Sequence, residues 1–209
     1  MSKKSPNLKK MKLIQPDKLR EELYKAVELS FEAGKILLDN YGSFIVETKR
    51  DGSLVTDIDI ASSRFLNSEL KKAFPEYVIL DEESKENGER YEKEFCWVID
   101  PLDSTRGYIE GEDNPGIIIG LIQKYEPVLG VTFKPFKNEL VYAVKGHGSY
   151  LIDLQGNSRR IEVSDSEDVS VLVSTSRNDE GLEMMLNKLN PSRIDRTVGG
   201  SLKTVEVAK

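Results

Sequence analysis

Residues 95–111 read F-C-W-V-I-D-P-L-D-S-T-R-G-Y-I-E-G, a short apolar run followed at once by two aspartates. The run 95–99 is rich in β-branched and aromatic residues, which predicts a buried strand. Because proline fixes φ and lacks an N–H, we expect this strand to end at Asp100 and Pro101. Both Asp100 and Asp103 then lie at the mouth of the strand.

Two carboxylates this close repel each other unless a cation lies between them. Asp100, Asp103 and the backbone carbonyl of Leu102 supply only oxygen ligands, the kind that Mg²⁺ prefers. An ordinary turn is the alternative, since proline starts turns and Asp, Ser and Thr side chains bind the local backbone. Residues 100–103 alone leave both interpretations open.

Two further acidic segments favour the metal site. T-D-I-D (56–59) precedes a predicted helix, and D-E-E-S (81–84) follows a strand predicted at 77–80. Helix-capping charges and a solvated loop are the alternatives for these segments. A D-x-D pair also occurs in metal-using glycosyltransferases and in aspartyl-phosphate phosphatases. The latter need a long apolar strand before the pair, whereas only Leu54 and Val55 precede it here.

Composition restricts the class of protein. The 209 residues are 38% hydrophobic and 32% charged, enough for one large domain or two small ones with a core. The net charge of −6 disfavours binding to nucleic-acid polymers or anionic membranes. No apolar run reaches 18 residues, so no membrane span is predicted. The single cysteine, Cys96, excludes an internal disulfide and predicts a reducing, cytoplasmic setting.

Periodicity predicts two helices near the start of the chain. Asp17 is the predicted N-cap of the first. Its predicted buried face consists of Leu19, Leu23, Val27, Ser30, Gly34, Leu37 and Tyr41. The second helix follows Asp59, and its predicted inward face consists of Ile58, Ala61, Phe65, Leu70 and Ala73.

Strands separated by turn signals at hairpin spacing follow residue 111. They are predicted at 117–122, 128–133, 140–144, 149–152 and 160–163, and they indicate an antiparallel sheet. A strand at 171–174, a helix at 180–189 and a strand at 194–198 begin a βαβ pattern. We therefore predict a flexible basic tail (1–15), an α+β metal-binding domain (16–163) and the start of a C-terminal α/β subdomain (164–209).

Together, T-D-I-D, D-E-E-S and W-V-I-D-P-L-D-S-T resemble the lithium-sensitive, magnesium-dependent phosphomonoesterases of the inositol monophosphatase superfamily. R-G-Y-I-E-G (106–111), E-P-V-L-G-V-T-F-K-P (126–135) and G-G-S-L-K (199–203) are similar to its 3′(2′),5′-bisphosphate nucleotidases. The implied fold is a layered α/β/α/β sandwich with two N-terminal helices. The implied reaction is removal of the 3′-phosphate of 3′-phosphoadenosine 5′-phosphate or its 5′-phosphosulfate, a small phosphorylated substrate.

The resemblance implies a role for each matching residue. The Mg²⁺ ligands, for two or three ions inhibited by Li⁺, would be Glu82, Asp100, Asp103 and the Leu102 carbonyl. Thr105, held by Glu82 or Asp59, would orient the attacking water. The substrate would meet Ser104, Thr105, Ser176, Asp179, Gly200, Ser201 and Lys203. Homodimers are common in the family.

Two departures from the family pattern stand out. Ser104 replaces a usual glycine, which adds a Cβ where backbone should approach phosphate closely. The family carries another metal-binding aspartate, in a Trp-Asp motif beyond the segment that ends at Lys203, whereas this chain stops at Lys209. Either the chain is a piece of a longer protein, or the protein lacks one ligand and part of its second sheet. On either account we expect an incomplete C-terminal subdomain.

Two other functions stay open. One is an inositol or sugar monophosphatase. The other, of a different class, is a catalytically inactive module that binds metal or nucleotide.

Overall fold

The computed structural model describes residues 11–84, 88, 91–152, 156–163, 169–174, 179–197 and 203–207. The chain divides into two compact units, Met1–Ile161 and Glu162–Lys209. The domain boundaries predicted from the sequence stay a prediction.

The first unit combines three helices with a hairpin and a large sheet. The helices are α1 (Arg20–Asp39), α2 (Asp57–Ala73) and α3 (Thr105–Glu110). The strands are β1 (Val46–Thr48), β2 (Leu54–Thr56), β3 (Val78–Asp81), β4 (Phe95–Asp103), β5 (Gly116–Gln123), β6 (Glu126–Lys134), β7 (Glu139–Val144), β8 (Gly148–Ile152) and β9 (Ser158–Ile161).

The large sheet has seven strands in the order β3-β4-β5-β6-β7-β8-β9, and β1 and β2 form a separate antiparallel pair. Pairing is antiparallel from β4 to β9, as the hairpin spacing predicts. The pair β3–β4 is parallel, so the chain returns to the opposite end of the sheet between Asp81 and Phe95. The predicted α+β class is confirmed.

The core lies between one face of this sheet and the two long helices. Helix α1 packs against β5 and β6, and α2 packs against β4. Alternate residues of the central strands, such as Trp97 and Ile119, are fully buried there. Gly34 of α1 is required by this packing, since a Cβ on it would lie 2.4 Å from Cε1 of Phe133.

The predicted start of α1 is wrong. The N-cap is Leu19, with φ 63° and no side-chain capping bond, and not Asp17. Asp17 lies too far upstream, since a capping side chain reaches only the second or third N–H after its own residue. Most of the predicted buried face of α1 is confirmed, but Tyr41 lies beyond the helix and is exposed.

The predicted inward face of α2 is wrong in part. Ile58 and Leu70 are buried, whereas Ala61 and Ala73 are exposed. Their places are taken by polar residues, namely Asp59, Ser62 and Ser63. Periodicity of apolar residues misses such a face, because its buried polar groups are satisfied by hydrogen bonds to other segments.

The second unit is a strand-helix-strand arrangement followed by a short helix. Its elements are β10 (Ser170–Ser174), α4 (Glu180–Leu189), β11 (Arg193–Thr197) and α5 (Lys203–Val207). Strands β10 and β11 pair in parallel, as the βαβ prediction requires, although Val198 lies outside the described residues. Within the described parts of both units, every helix is too short or too polar to cross a lipid bilayer.

Candidate active site

The three acidic segments meet at one end of the large sheet. Because β3 and β4 are parallel, with Asp81 paired to Ile99, their carboxyl ends lie side by side. Glu82 directly follows β3, and its backbone N–H donates to the Ile99 carbonyl at 3.2 Å. Glu82 therefore begins next to Asp100 of β4.

Strand β4 does not end at Asp100 and Pro101, contrary to the sequence prediction. It continues to Asp103, with a register shift against β5 because Asp100 pairs with Ile118 and Asp103 with Gly116. Three steps along β4 match two along β5, which is a β-bulge, and a bulge tolerates proline. The bulge lies between the two aspartates of this strand, Asp100 and Asp103.

Asp100 titrates abnormally because of its surroundings. Burial, followed by the charges of Glu82 and Asp103, raises the pKa of Asp100 to about 8. The Leu102 N–H donates to Asp100 Oδ1 at 3.1 Å and opposes this shift. Glu82 and Asp103 therefore both lie close enough to repel Asp100, and we call these three residues the acidic cluster.

Thr105 is held by a carboxylate from another helix. Its Oγ1 donates to Asp59 Oδ1 at 2.9 Å, with the Leu102 carbonyl as a second acceptor at 3.2 Å. Asp59 is only 1% exposed, and its Oδ2 accepts from the N–H and hydroxyl of Thr56 at 2.8 and 2.5 Å in a capping box. Burial raises the pKa of Asp59 even though these hydrogen bonds oppose the shift. Of the two predicted partners of Thr105, the structure shows Asp59.

Ser104 takes the left-handed conformation immediately before α3. Its φ of 69° and ψ of 51° are strained for a residue with a Cβ and unstrained for glycine. Backbone geometry is thus one reason for glycine here, in addition to the close phosphate approach expected from the sequence. The Ser104 Oγ lies close to Gly107, since a Cβ added to Gly107 would be 2.7 Å from that oxygen.

Lys49 is a site residue that the sequence prediction missed. Its Nζ lies 2.8 Å from Glu83 Oε1 and 3.7 Å from Glu82 Oε1. Burial alone would lower the pKa of Lys49, but the hydrogen bond to Glu83 and the charges of the nearby acids raise it. A lysine in the turn between β1 and β2 gives no sequence signal, because charged residues are ordinary there.

The donor set fits a hard cation in its chemistry. Within the described residues, no three His, Cys, Asp or Glu side chains are spaced to hold a metal ion by themselves. Mg²⁺ does not need such a cage, since proteins commonly hold it by one or two carboxylates, with water and substrate phosphate completing the shell. The acidic cluster and the Leu102 carbonyl supply oxygens of this kind, and the repulsion that raises the pKa of Asp100 would be relieved by a cation.

The predicted substrate residues of the second unit are only partly described. Ser176, Gly200 and Ser201 lie outside the described residues. Asp179 is the N-cap of α4 and accepts from the Leu182 N–H at 2.9 Å, while Lys203 is the half-buried first residue of α5. Their predicted contacts with substrate stay predictions.

By fold, the chain is similar to an IMPase from Thermotoga maritima. That structure has a TM-score of 0.75 and 26% identity, and the match covers 90% of this chain and 72% of that one. The chain belongs to the inositol monophosphatase family, whose model matches residues 19–208. The resemblance identified from the three acidic motifs is thereby confirmed.

The names of the curated relatives indicate more than one substrate. A 3′(2′),5′-bisphosphate nucleotidase CysQ from Buchnera aphidicola is 29% identical over 91% of this chain and 72% of its own length. A fructose-1,6-bisphosphatase/inositol-1-monophosphatase from Aquifex aeolicus is 30% identical over 72% of this chain. The match covers 56% of that relative, so this chain spans little more than half of its length.

Proposed function

We propose that this protein is a Mg²⁺-dependent phosphomonoesterase that removes the 3′-phosphate of 3′-phosphoadenosine 5′-phosphate or its 5′-phosphosulfate. The observation that carries the proposal is the hydrogen bond from Thr105 to buried Asp59, directly beside the acidic cluster. It combines a group that can take a proton from water with a group of acids suited to a cation.

The chain's own residues account for the activation of water. With its single proton donated to Asp59, the Thr105 hydroxyl presents lone pairs to a water molecule. As the water oxygen bonds to phosphorus, its proton passes to Thr105 Oγ1 and the Thr105 proton passes to Asp59. The raised pKa of Asp59 favours this transfer. The bond from phosphorus to the 3′-oxygen breaks, and that oxygen takes a proton from solvent.

Mg²⁺ would be held by the acidic cluster and the Leu102 carbonyl. When bound, it supplies the positive charge that allows these acids and a negatively charged phosphate to lie close together. We propose two or three ions and inhibition by Li⁺, in keeping with the family resemblance. The backbone N–H groups of Ser104 and Thr105, at the start of α3, bind the phosphate in this proposal. We also propose a cytoplasmic location and a homodimer, in keeping with the family resemblance.

The nucleotide assignment draws on residues 106–108, on Lys203 and on the CysQ relative. In the structure Tyr108 is fully buried and its hydroxyl donates to the Leu37 carbonyl at 2.6 Å, so it supports the core. Arg106 is exposed and remains free to meet a ligand phosphate. The Aquifex relative favours a second candidate, an inositol or sugar monophosphatase.

A phosphate-release panel tests the proposal. Adenosine 3′,5′-bisphosphate, inositol 1-phosphate and fructose 1,6-bisphosphate are compared with Mg²⁺, with and without Li⁺. We expect fastest release from the adenosine compound. Release from the inositol or fructose ester alone would establish the second candidate. The absence of release from all three, together with Mg²⁺ binding measured by calorimetry, would identify an inactive binding module.

A further inference from the structure

Asp81, the last residue of β3, is a buried carboxylate with neutral hydrogen-bond donors around it. It is only 3% exposed. Its Oδ2 accepts from Ser63 Oγ at 2.5 Å, from Asn67 Nδ2 at 2.6 Å and from Ser84 Oγ at 3.3 Å. Its Oδ1 accepts from the Glu83 N–H at 3.0 Å. Three of these four bonds meet at Oδ2 and one at Oδ1, so both oxygens of Asp81 are held by donors.

The bonds of Asp81 fix the turn that carries Glu82. Ser63 and Asn67 belong to α2, so they tie the end of β3 to that helix. The bonds from the Glu83 N–H and Ser84 Oγ, with the Ser84 N–H donating to the Asp81 carbonyl at 3.0 Å, close the turn on the other side. The Glu82 side chain is 55% exposed and meets Lys49 at 3.7 Å, so the backbone beneath it sets much of its direction.

The same helix supports the rest of the site through neighbouring positions. Asp59 holds Thr105, and one turn later the Ser62 hydroxyl donates to the Pro101 carbonyl at 2.9 Å, within the bulge of β4. Ser63 then holds Asp81. Residues three and four apart lie on one helix face, so a single polar face anchors each segment that bears a site residue.

Burying a carboxylate among neutral donors costs more than burying an apolar side chain of similar size. A purely structural role at the end of β3 does not explain why a carboxylate is buried there, since β3 is already paired with β4. The need to hold Glu82 in one direction does explain the buried carboxylate, because a carboxylate that binds a cation must be held in place by its neighbours.

We propose that Asp81 is a positioning residue, which holds the turn 81–84 against α2 so that Glu82 faces the other two acids and contributes to Mg²⁺ affinity. This inference rests on the proposed function, since it assigns Asp81 to the same cation site. Asp81 does not touch the cation or the phosphate and acts only through Glu82.

Isothermal titration of the full chain with Mg²⁺, without substrate, is the test. Asp81→Asn puts an amide where Ser63 and Asn67 donate, and we expect it to raise the Kd for Mg²⁺ by about 10- to 100-fold, as for residues that orient metal ligands. Ser63→Ala, which removes one donor and keeps the carboxylate, should act in the same direction by less. Asp39→Asn is the matched control, since it removes one exposed carboxylate at the end of α1 and should leave the Kd unchanged.

A double-mutant cycle with Glu82→Gln separates positioning from general damage. If Asp81 acts through Glu82, Asp81→Asn should change the Kd by less than about threefold in the Glu82→Gln background. An equal change in both backgrounds, or an unchanged Kd for the Ser63→Ala and Asp81→Asn proteins, would overturn the positioning role alone. A wild-type chain that binds no Mg²⁺ and releases no phosphate would overturn the proposed function and this inference with it.

Discussion

The Asp59–Thr105 pair and the acidic cluster lie side by side, yet their carboxylates have different surroundings. Both oxygens of Asp59 accept hydrogen bonds, from Thr105 on one side and from Thr56 on the other. Asp100 of the acidic cluster lies instead beside two further acids, and burial followed by repulsion from Glu82 and Asp103 raises its pKa. Hydrogen bonds within the protein satisfy both oxygens of Asp59, whereas added positive charge would relieve the repulsion at Asp100.

This difference separates two properties that a phosphatase site needs. Preorganised hydrogen bonds hold a reacting group in place without further cost at the moment of reaction. Repulsion among neighbouring carboxylates favours a cation between them, and it lowers stability when the cation is absent. Variants of the pair should therefore change the rate and leave cation affinity alone, while variants of the acidic cluster should change cation affinity and stability.

The largest effect is expected from Thr105→Ala. Removing the hydroxyl removes the group that takes the water proton, so kcat should fall by about 10²- to 10⁴-fold. The Kd for Mg²⁺ should stay close to that of the wild type, because Thr105 supplies no cation ligand. Steady-state kinetics and titration calorimetry measure the two quantities, and Thr105→Ser, which keeps the hydroxyl, is the matched control. A large rise in the Kd in the alanine variant would place Thr105 in the cation site.

The second effect concerns stabilisation by Mg²⁺. A cation that binds only the folded chain, at about 100 times its Kd, should raise the free energy of unfolding by about 2.7 kcal/mol. Asp103→Asn removes one carboxylate of the acidic cluster and should abolish most of this gain while the fold is retained. Urea unfolding with Mg²⁺ and with chelator gives both values. An equal gain in the variant and the wild type would mean that Mg²⁺ binds elsewhere.

The third effect is a pH dependence without Mg²⁺. Because the pKa of Asp100 is raised to about 8 from an ordinary value of 3.8, the folded protein keeps a proton that the unfolded chain has lost. The folded state binds one more proton than the unfolded chain over this range, so the free energy of unfolding should fall as pH rises from 4 to 8. Asp100→Asn cannot lose this proton and should show a flatter profile with higher stability at pH 8. Parallel profiles for the two proteins would contradict the assignment.

Most of the strands could be predicted from the sequence, since apolar alternation between turn residues reports a strand directly. The βαβ pattern of residues 170–197 was predictable for the same reason. Three features were not. The bulge at Pro101 depends on pairing with β5, the parallel β3 depends on its pairing with β4, and the Leu19 cap uses backbone conformation alone.

The site shows the same division between local and long-range information. The acids of the acidic cluster could be proposed because each follows or ends a recognisable strand. The residues that fix the segments carrying these acids could not be proposed. Ser62, Ser63 and Lys49 act across 39, 18 and 34 residues of sequence, and no local pattern marks a serine or a lysine for such a contact. Asp59 could be proposed as a site residue, but only the fold shows that it accepts the hydrogen bond from Thr105.

The smallest effect tests the strain stored beside the Asp59–Thr105 pair. Ser104 has a φ of 69°, and relief of left-handed strain by Ser104→Gly should raise the free energy of unfolding by about 1 kcal/mol. Ser43→Gly is the matched control, because Ser43 is exposed and does not have a positive φ. There the same substitution should lower stability by a few tenths of a kcal/mol, since glycine adds freedom to the unfolded chain. Denaturant unfolding of both variants decides the sign. An equal loss of stability in Ser104→Gly and Ser43→Gly would contradict the proposed strain at Ser104.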